Sequence, residues 1–260
     1  MTAPLAGRRV WLTRAAHQAE PWAQALEAAG AEVLREPLMA IDTPADDAAA
    51  RAALASAAEA DVVIATSTNA VHSAWQLQPD FTPDGRLYAV GAATAAALEL
   101  ATGRAVEKPD GGFSSEGLLA LESLSQLQSK RVAILAGEGG RTTLIDALRA
   151  RGAEVDKAAL YRRRWLTIDT RRLARLIDAS DAVIVTSGEA VAHLVDQVSK
   201  AHEAGLAARL AECRLVAPSA RVVKQTDQRL NWIHEPVIVE RIGGDAIVAA
   251  LARVWKGDRQ

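Results

Sequence analysis

Two short stretches set paired hydroxyls directly after an apolar run: Thr66-Ser67, followed by Asn69, and Thr186-Ser187, followed by Glu189. A hydroxyl in such a place can attack a substrate, hydrogen-bond an anion, or cap a helix. Neither serine stands in the G-x-S-x-G pattern of a nucleophile elbow, and capping, which needs no chemistry, is favoured over a nucleophile. Four further loops share the same small or polar character: Thr13-Arg14, Gly91–Thr94, Gly137–Arg141 and Pro218–Arg221. In them Arg14, Arg141 and Arg221 offer guanidinium forks suited to carboxylates, and Thr94 and Ser219 add hydroxyls. Gly91 and its neighbours lead into a helix, where backbone N–H groups point outward with the positive end of the helix dipole. Tyr161 heads the run Tyr-Arg-Arg-Arg-Trp (161–165), which reads as a solvated edge or linker strand, or as a set of carboxylate partners. By itself a tyrosine is more often a packed aromatic than a catalyst.

Other signals point away from common chemistries. Gly-Glu-Gly-Gly-Arg-Thr (137–142) approaches a dinucleotide fingerprint, with Asp156 19 residues further on. Thr142 stands where the third glycine belongs, so a tight anion-binding turn is the better reading; no GK[ST] follows, which excludes a P-loop. The five histidines (17, 72, 193, 202 and 234) have no metal-ligand spacing, and the single Cys213 supports neither a cluster nor an internal disulfide. Cys213 reads as a small buried hydrophobe at a strand start. A net charge of −2 provides no field for drawing in nucleic acid. With no signal-peptide pattern and no apolar run near the roughly 18 residues of a membrane span, a soluble cytoplasmic protein is expected.

The elements that carry these residues occur twice. "DVVIATSTNAV" (61–71) is echoed by "DAVIVTSGEAV" (181–191), and "QALEAAGAEV" (24–33) by "DALRARGAEV" (146–155), an offset of 122 residues from 24 to 146. The same offset aligns Arg9-Val10 with Arg131-Val132, and "RLYAVGAATAAAL" (86–98) pairs more loosely with "RLVAPSARVV" (214–223). Trp22, Ala25, Leu26 and Ala29 share one helical face, as do Leu144, Ala147 and Leu148. Gly30 and Gly152 follow these helices where a left-handed C′ residue is needed. Ser114–Leu124 and Gly244–Val254 each read as a closing helix. Strands alternating with helices predict a duplicated α/β protein with parallel sheets covered on both faces. In such sheets ligands bind at the carboxyl ends of the strands, where all six polar loops fall.

In order and spacing, "VWLTR", "REPLMAI", "VIATSTNAV", "YAVGAATAAAL", "ILAGEGGRTTLIDALRARGAEV", "ALYRR", "VIVTSGEAV" and "LVAPSAR" together resemble the uroporphyrinogen-III synthases over nearly the whole chain. The resemblance implies two α/β lobes joined by a two-stranded linker, with the active site in the cleft. It places residues 1–38 with 167–260 in one discontinuous lobe and 42–160 in an inserted one, with linkers near 37–43 and 161–168.

The implied reaction closes hydroxymethylbilane, a linear tetrapyrrole, into uroporphyrinogen III with loss of water and inversion of ring D. No cofactor or metal is implied, and a monomer is expected. Tyr161 matches the family tyrosine proposed to assist loss of hydroxide. Thr66, Ser67, Thr186 and Ser187 match the paired T-S loops, Thr94 the V-G-x-x-T loop, and Arg14 and Arg141 the basic positions at strand ends. Asn69 and Gly91 join them as candidate substrate contacts. Pro218-Ser219-Ala220-Arg221 departs from the commoner V-G-x-x-T pattern toward an S-x-x-R-like variant, with Arg221 as a further carboxylate contact. A second reading is a non-catalytic sensor of tetrapyrroles or small anions with the same fold. With Gln260 following so soon after the last helix, no fused helix-turn-helix is expected.

Overall fold

The computed structural model describes residues 3–110, 115–140, 142–224 and 229–257. From the amino terminus run β1 (Arg9–Leu12), α1 (Ala16–Ala28) and β2 (Glu32–Arg35). Next come β3 (Met39–Asp42), α2 (Asp47–Ala58), β4 (Val62–Ala65), α3 (Thr68–Leu77), β5 (Arg86–Ala89), α4 (Ala92–Thr102), α5 (Ser115–Leu119), β6 (Arg131–Gly137), α6 (Thr143–Ala150) and the long β7 (Glu154–Trp165). The remainder carries α7 (Thr170–Asp178), β8 (Ala182–Ile184), α8 (Gly188–Lys200), α9 (Leu206–Glu212), β9 (Arg214–Ala217), α10 (Ala220–Val223), β10 (Val237–Ile238) and α11 (Gly244–Gly257).

The chain divides into two compact units, Met1–Ala40 with Arg164–Gln260, and Ile41–Arg163. Each has a five-stranded sheet, ordered β10-β9-β8-β1-β2 in the first unit and β3-β7-β6-β4-β5 in the second. The paired strands run parallel from β10 to β2 in the first sheet and from β7 to β5 in the second.

This order explains the repeat. Through it β1, β2, β8 and β9 correspond to β6, β7, β4 and β5, and the two sets stand in the same order in their sheets, with β3 added beyond β7. Even β10, beside β9, has a counterpart: Glu107 forms a parallel bridge to Tyr88 of β5. Each sheet therefore combines strands from both sequence halves.

Alternation along the strands builds a core on each face. In the first unit Trp11, Val183 and Leu215 pack with Leu173, Ile177, Leu194 and Leu210. Their neighbours Val10, Leu12, Ile184 and Val216 pack on the other face with Trp22, Leu26, Ile247 and Leu251. In the second unit Val63, Leu87 and Leu135 meet Leu54, Val71 and Leu98, whereas Ile64, Tyr88 and Ile134 meet Leu118, Leu144 and Leu148. Each fully buried aliphatic side chain contributes about 1.5–3 kcal/mol of transfer free energy. These cores hold the strands, and the strand ends hold the polar loops.

Gly30 and Gly152 follow α1 and α6 with φ of +92° and +86°, as the C′ reading requires. The closing helix expected at 114–124 is broken: α5 spans Ser115–Leu119, and a separate 3₁₀ turn covers Glu122–Leu124. Leu118 and Leu124 are both buried, and the break lets them enter one core from two short pieces. Ser114 lies outside the described residues. The other closing helix extends to Gly257. Among the described residues no helix is long and apolar enough to cross a membrane.

Candidate active site

At the end of β4 the chain must leave the sheet and start a helix. The Thr66 N–H and hydroxyl both donate to the Leu135 carbonyl, at 3.1 and 3.0 Å, tying the exit of β4 to β6. Ser67 is extended and caps α3, its Oγ accepting the Ala70 N–H at 3.1 Å. The same Oγ lies 3.1 Å from the Tyr161 hydroxyl, where either group can donate.

Tyr161 is held by an irregularity in the β6–β7 pairing. Ala136 faces Ala159, but Gly137 faces Tyr161, so β7 carries one extra residue at that point. The Glu138 N–H donates to the Tyr161 carbonyl at 2.7 Å, locking the shifted register. The ring lies against Gly137, where a Cβ would sit 2.7 Å from Tyr161 Cζ. Only glycine leaves room for the ring in this position.

These groups wall a cavity of about 210 Å³. Ile134, Leu144 and Ile145 make it apolar on one side, while Thr66, Ser67, Glu138, Lys157, Tyr161 and Arg163 supply polar groups. The Lys157 ammonium donates to the Gly139 carbonyl, and the Glu138 carboxylate accepts the Ala45 N–H. Gly139 and Gly140 have φ of +67° and +87°, the backbone of a tight turn and an explanation of the glycines that needs no dinucleotide. Tyr161 is only 2% exposed, so its hydroxyl is shielded from bulk water yet borders the cavity. Such a phenol can donate a proton or hydrogen bond to a departing oxygen, and the two cations can hold carboxylates.

Other candidate residues stand elsewhere. Asn69, on the first turn of α3, is 9% exposed; Thr94, in α4, is 7% exposed; Gly91 occupies the N-cap position of α4. None of the three lines this cavity. In the first unit the Thr13 hydroxyl donates to the Ile184 carbonyl at 2.6 Å, tying β1 to β8 as Thr66 ties β4 to β6. Arg14 is half-buried, its Nε donating to Gln18 Oε1 at 3.2 Å and its guanidinium lying 4.2 Å from the centre of the Trp22 ring. That burial lowers its pKa from the ordinary arginine value.

Ser187 caps α8 by accepting the Ala190 N–H at 3.1 Å, and half-buried Thr186 precedes it. Ser219 is at the N-cap position of the four-residue α10, on which Arg221 is exposed. These residues share the carboxyl-end edge of the first sheet. Arg141 lies outside the described residues. Among the described residues no group of three or more His, Cys, Asp or Glu side chains could hold a metal ion.

The profile of the family described as Uroporphyrinogen-III synthase HemD matches residues 20–234. The chain is 32% identical over 210 residues to the uroporphyrinogen-III synthase of Escherichia coli K12, spanning 76% of this chain and 81% of that protein. The chain belongs to the uroporphyrinogen-III synthase family. It is also 33% identical over 214 residues to the Salmonella typhimurium LT2 uroporphyrinogen-III synthase, with the same two coverages, 76% and 81%. A crystal structure of a mutant uroporphyrinogen III synthase from the extremely thermophilic bacterium Thermus thermophilus matches with a TM-score of 0.63 at 20% identity, covering 96% of this chain and 100% of that one. The uroporphyrinogen-III synthetase of Helicobacter pylori 26695 gives 0.57 at 14% identity, covering 95% and 99%. These two share the fold. The activity is that of a uroporphyrinogen-III synthase, a hydro-lyase of tetrapyrrole biosynthesis.

For a uroporphyrinogen-III synthase, the cavity joins Gly137 of the polar loop, now the ring's seat, and Arg163 of the basic run to a cation that spacing alone did not single out, Lys157. A glycine ending an apolar strand is a signal for a bulge or a close approach, and it stands at 137. Nothing comparable marks Lys157, which meets the Gly139 carbonyl only once β6 and β7 are paired.

Proposed function

We propose that the cavity beside Tyr161 is where this chain starts the closure of hydroxymethylbilane. The carrying observation is the buried phenol held between Ser67 and Gly137 at a cavity wall. The C–O bond of the hydroxymethyl group breaks, and the oxygen leaves with the Tyr161 proton as water. An azafulvene cation and a phenolate remain. The cation attacks the substituted carbon of ring D, giving a spiro-pyrrolenine that fragments and recloses at that ring's free α-carbon. The proton released there restores the phenol, so the net loss is one water.

Positioning supplies most of the catalysis, since unguided closure gives the unrotated isomer. Thr66, Asn69, Gly91, Thr94 and Arg141 from residues 42–160, and Arg14, Thr186, Ser187, Ser219 and Arg221 from the lobe of 1–38 with 167–260, are assigned to gripping the substrate. The strand-end location of the described loops in two parallel sheets supports that assignment. On this reading a single cytoplasmic chain is the working unit, without nucleic acid.

Tyr161→Phe tests the site. It lowers kcat toward the low end of the roughly 10²–10⁴-fold range for general acids, because this hydroxide also leaves unaided, and isomer III still predominates. Wild-type turnover in that variant would make Tyr161 a packing residue.

A further inference from the structure

We propose that Ser67 is a positioning residue for Tyr161 rather than a contact for substrate: it donates to the phenolic oxygen and so directs the phenolic proton into the cavity. The inference rests on the role given to Tyr161 above. Its basis is the inventory of the serine hydroxyl. Ser67 Oγ has two lone pairs and one proton. One lone pair takes the Ala70 N–H at 3.1 Å, and the Tyr161 hydroxyl lies 3.1 Å away.

Two arrangements satisfy that geometry. If Tyr161 donated to Ser67, the phenolic proton would point at the helix cap and be lost to the leaving group. If Ser67 donates to Tyr161, the serine proton is used, and the phenol keeps its own proton for a partner in the cavity. The Ala70 N–H favours the second, because it draws on the electron density of Oγ and makes the serine a better donor, the polarisation expected along a hydrogen-bonded chain. Gly137 closes the remaining freedom by confining the ring against the backbone.

The repeat offers an internal comparison. Ser187 makes the same cap, accepting the Ala190 N–H at 3.1 Å. The chain has two tyrosines, and both, Tyr88 and Tyr161, fall in the unit of Ile41–Arg163, whereas Ser187 falls in the other. Capping accounts for a serine at both places. The phenol contact belongs to Ser67.

A double-mutant cycle separates the two roles. Ser67→Gly removes the hydroxyl while keeping a residue that starts helices well, so the cap loss is a few tenths of a kcal/mol. The expected result is a kcat lower by about 2- to 13-fold, the equivalent of one ordinary hydrogen bond, with KM unchanged. In the Tyr161→Phe background the same substitution has no further effect on kcat, and Ser67→Thr restores the wild-type value. Multiplying effects of Ser67→Gly and Tyr161→Phe, or a rise in KM alone, would show that Ser67 touches substrate and would overturn the inference while leaving Tyr161 its role. Wild-type kcat in Tyr161→Phe itself would remove both.

Discussion

Gly137→Ala is the sharpest probe of the geometry around Tyr161. The backbone at 137 is not left-handed, so alanine meets no conformational objection. The objection is steric. Its Cβ would lie 2.7 Å from Cζ, 2.9 Å from Cε2 and 3.1 Å from Cε1 of Tyr161. Carbon atoms rest at about 3.5–4.0 Å, so ring and strand must part by about 1 Å. The Ser67–Tyr161 contact is already 3.1 Å, and a shift of that size takes it beyond hydrogen-bond range. Overpacking of this kind costs about 1–3 kcal/mol of stability. For turnover, a 1 Å misplacement of a catalytic group is worth about 10²-fold.

Steady-state kinetics on hydroxymethylbilane, with thermal unfolding alongside, separates the effects. Gly137→Ala lowers kcat by about 10²-fold, and its further effect vanishes in the Tyr161→Phe background, where the hydroxyl is already gone. The stability loss remains in both backgrounds, because phenylalanine presents the same ring to the new methyl. A fully active Gly137→Ala variant, with Tyr161→Phe impaired, would mean that the ring's position does not matter and would refute the reasoning.

Arg14→Ala raises KM through the loss of a proposed carboxylate partner, and it lowers the melting temperature because the guanidinium packs on Trp22; cation–π contact is worth about 0.5–2 kcal/mol, rising with desolvation. A changed melting temperature with unchanged KM would leave Arg14 a packing role alone. Burial pushes the Cys213 thiol up to about 12, whereas an unfolded thiol ionises near 8.5, so its stabilising contribution is full below about pH 8.5 and fades as the pH rises toward 12. Denaturant titrations of wild type and Cys213→Ala should diverge by about 1.4 kcal/mol per pH unit across that window, and parallel curves would count against the burial.

Much of the fold is legible because local rules and the repeat agree. The Thr-Ser pairs stand between an apolar run and a periodic one, and Ser67 and Ser187 do cap α3 and α8. Gly30 and Gly152 announce the helix ends through the left-handed conformation, which glycine adopts without the strain that a side chain brings. What stays hidden depends on pairing across distance. The sheet orders combine strands from both halves, and no local pattern encodes which edge a strand joins. The break after Leu119 escapes a helical pattern because Leu118, Leu121 and Leu124 follow one another at i, i+3 spacing, which reads as a continuous apolar stripe as readily as two short pieces. At the cavity, the Tyr161–Ser67 contact spans 94 residues. It exists because a one-residue irregularity brings Tyr161 opposite Gly137, and that shift appears only when β6 and β7 are laid side by side.

The isomer of the product is the most direct test of whether this chain inverts ring D. Hydroxymethylbilane is incubated with the full chain in chelator and without nucleotide, the products are oxidised, and isomers I and III are separated. Predominantly isomer III, formed faster than in buffer, is the result predicted for a chain that holds its substrate in the conformation that inverts ring D. An isomer ratio equal to that of buffer alone would contradict it and leave a protein that binds without turning over.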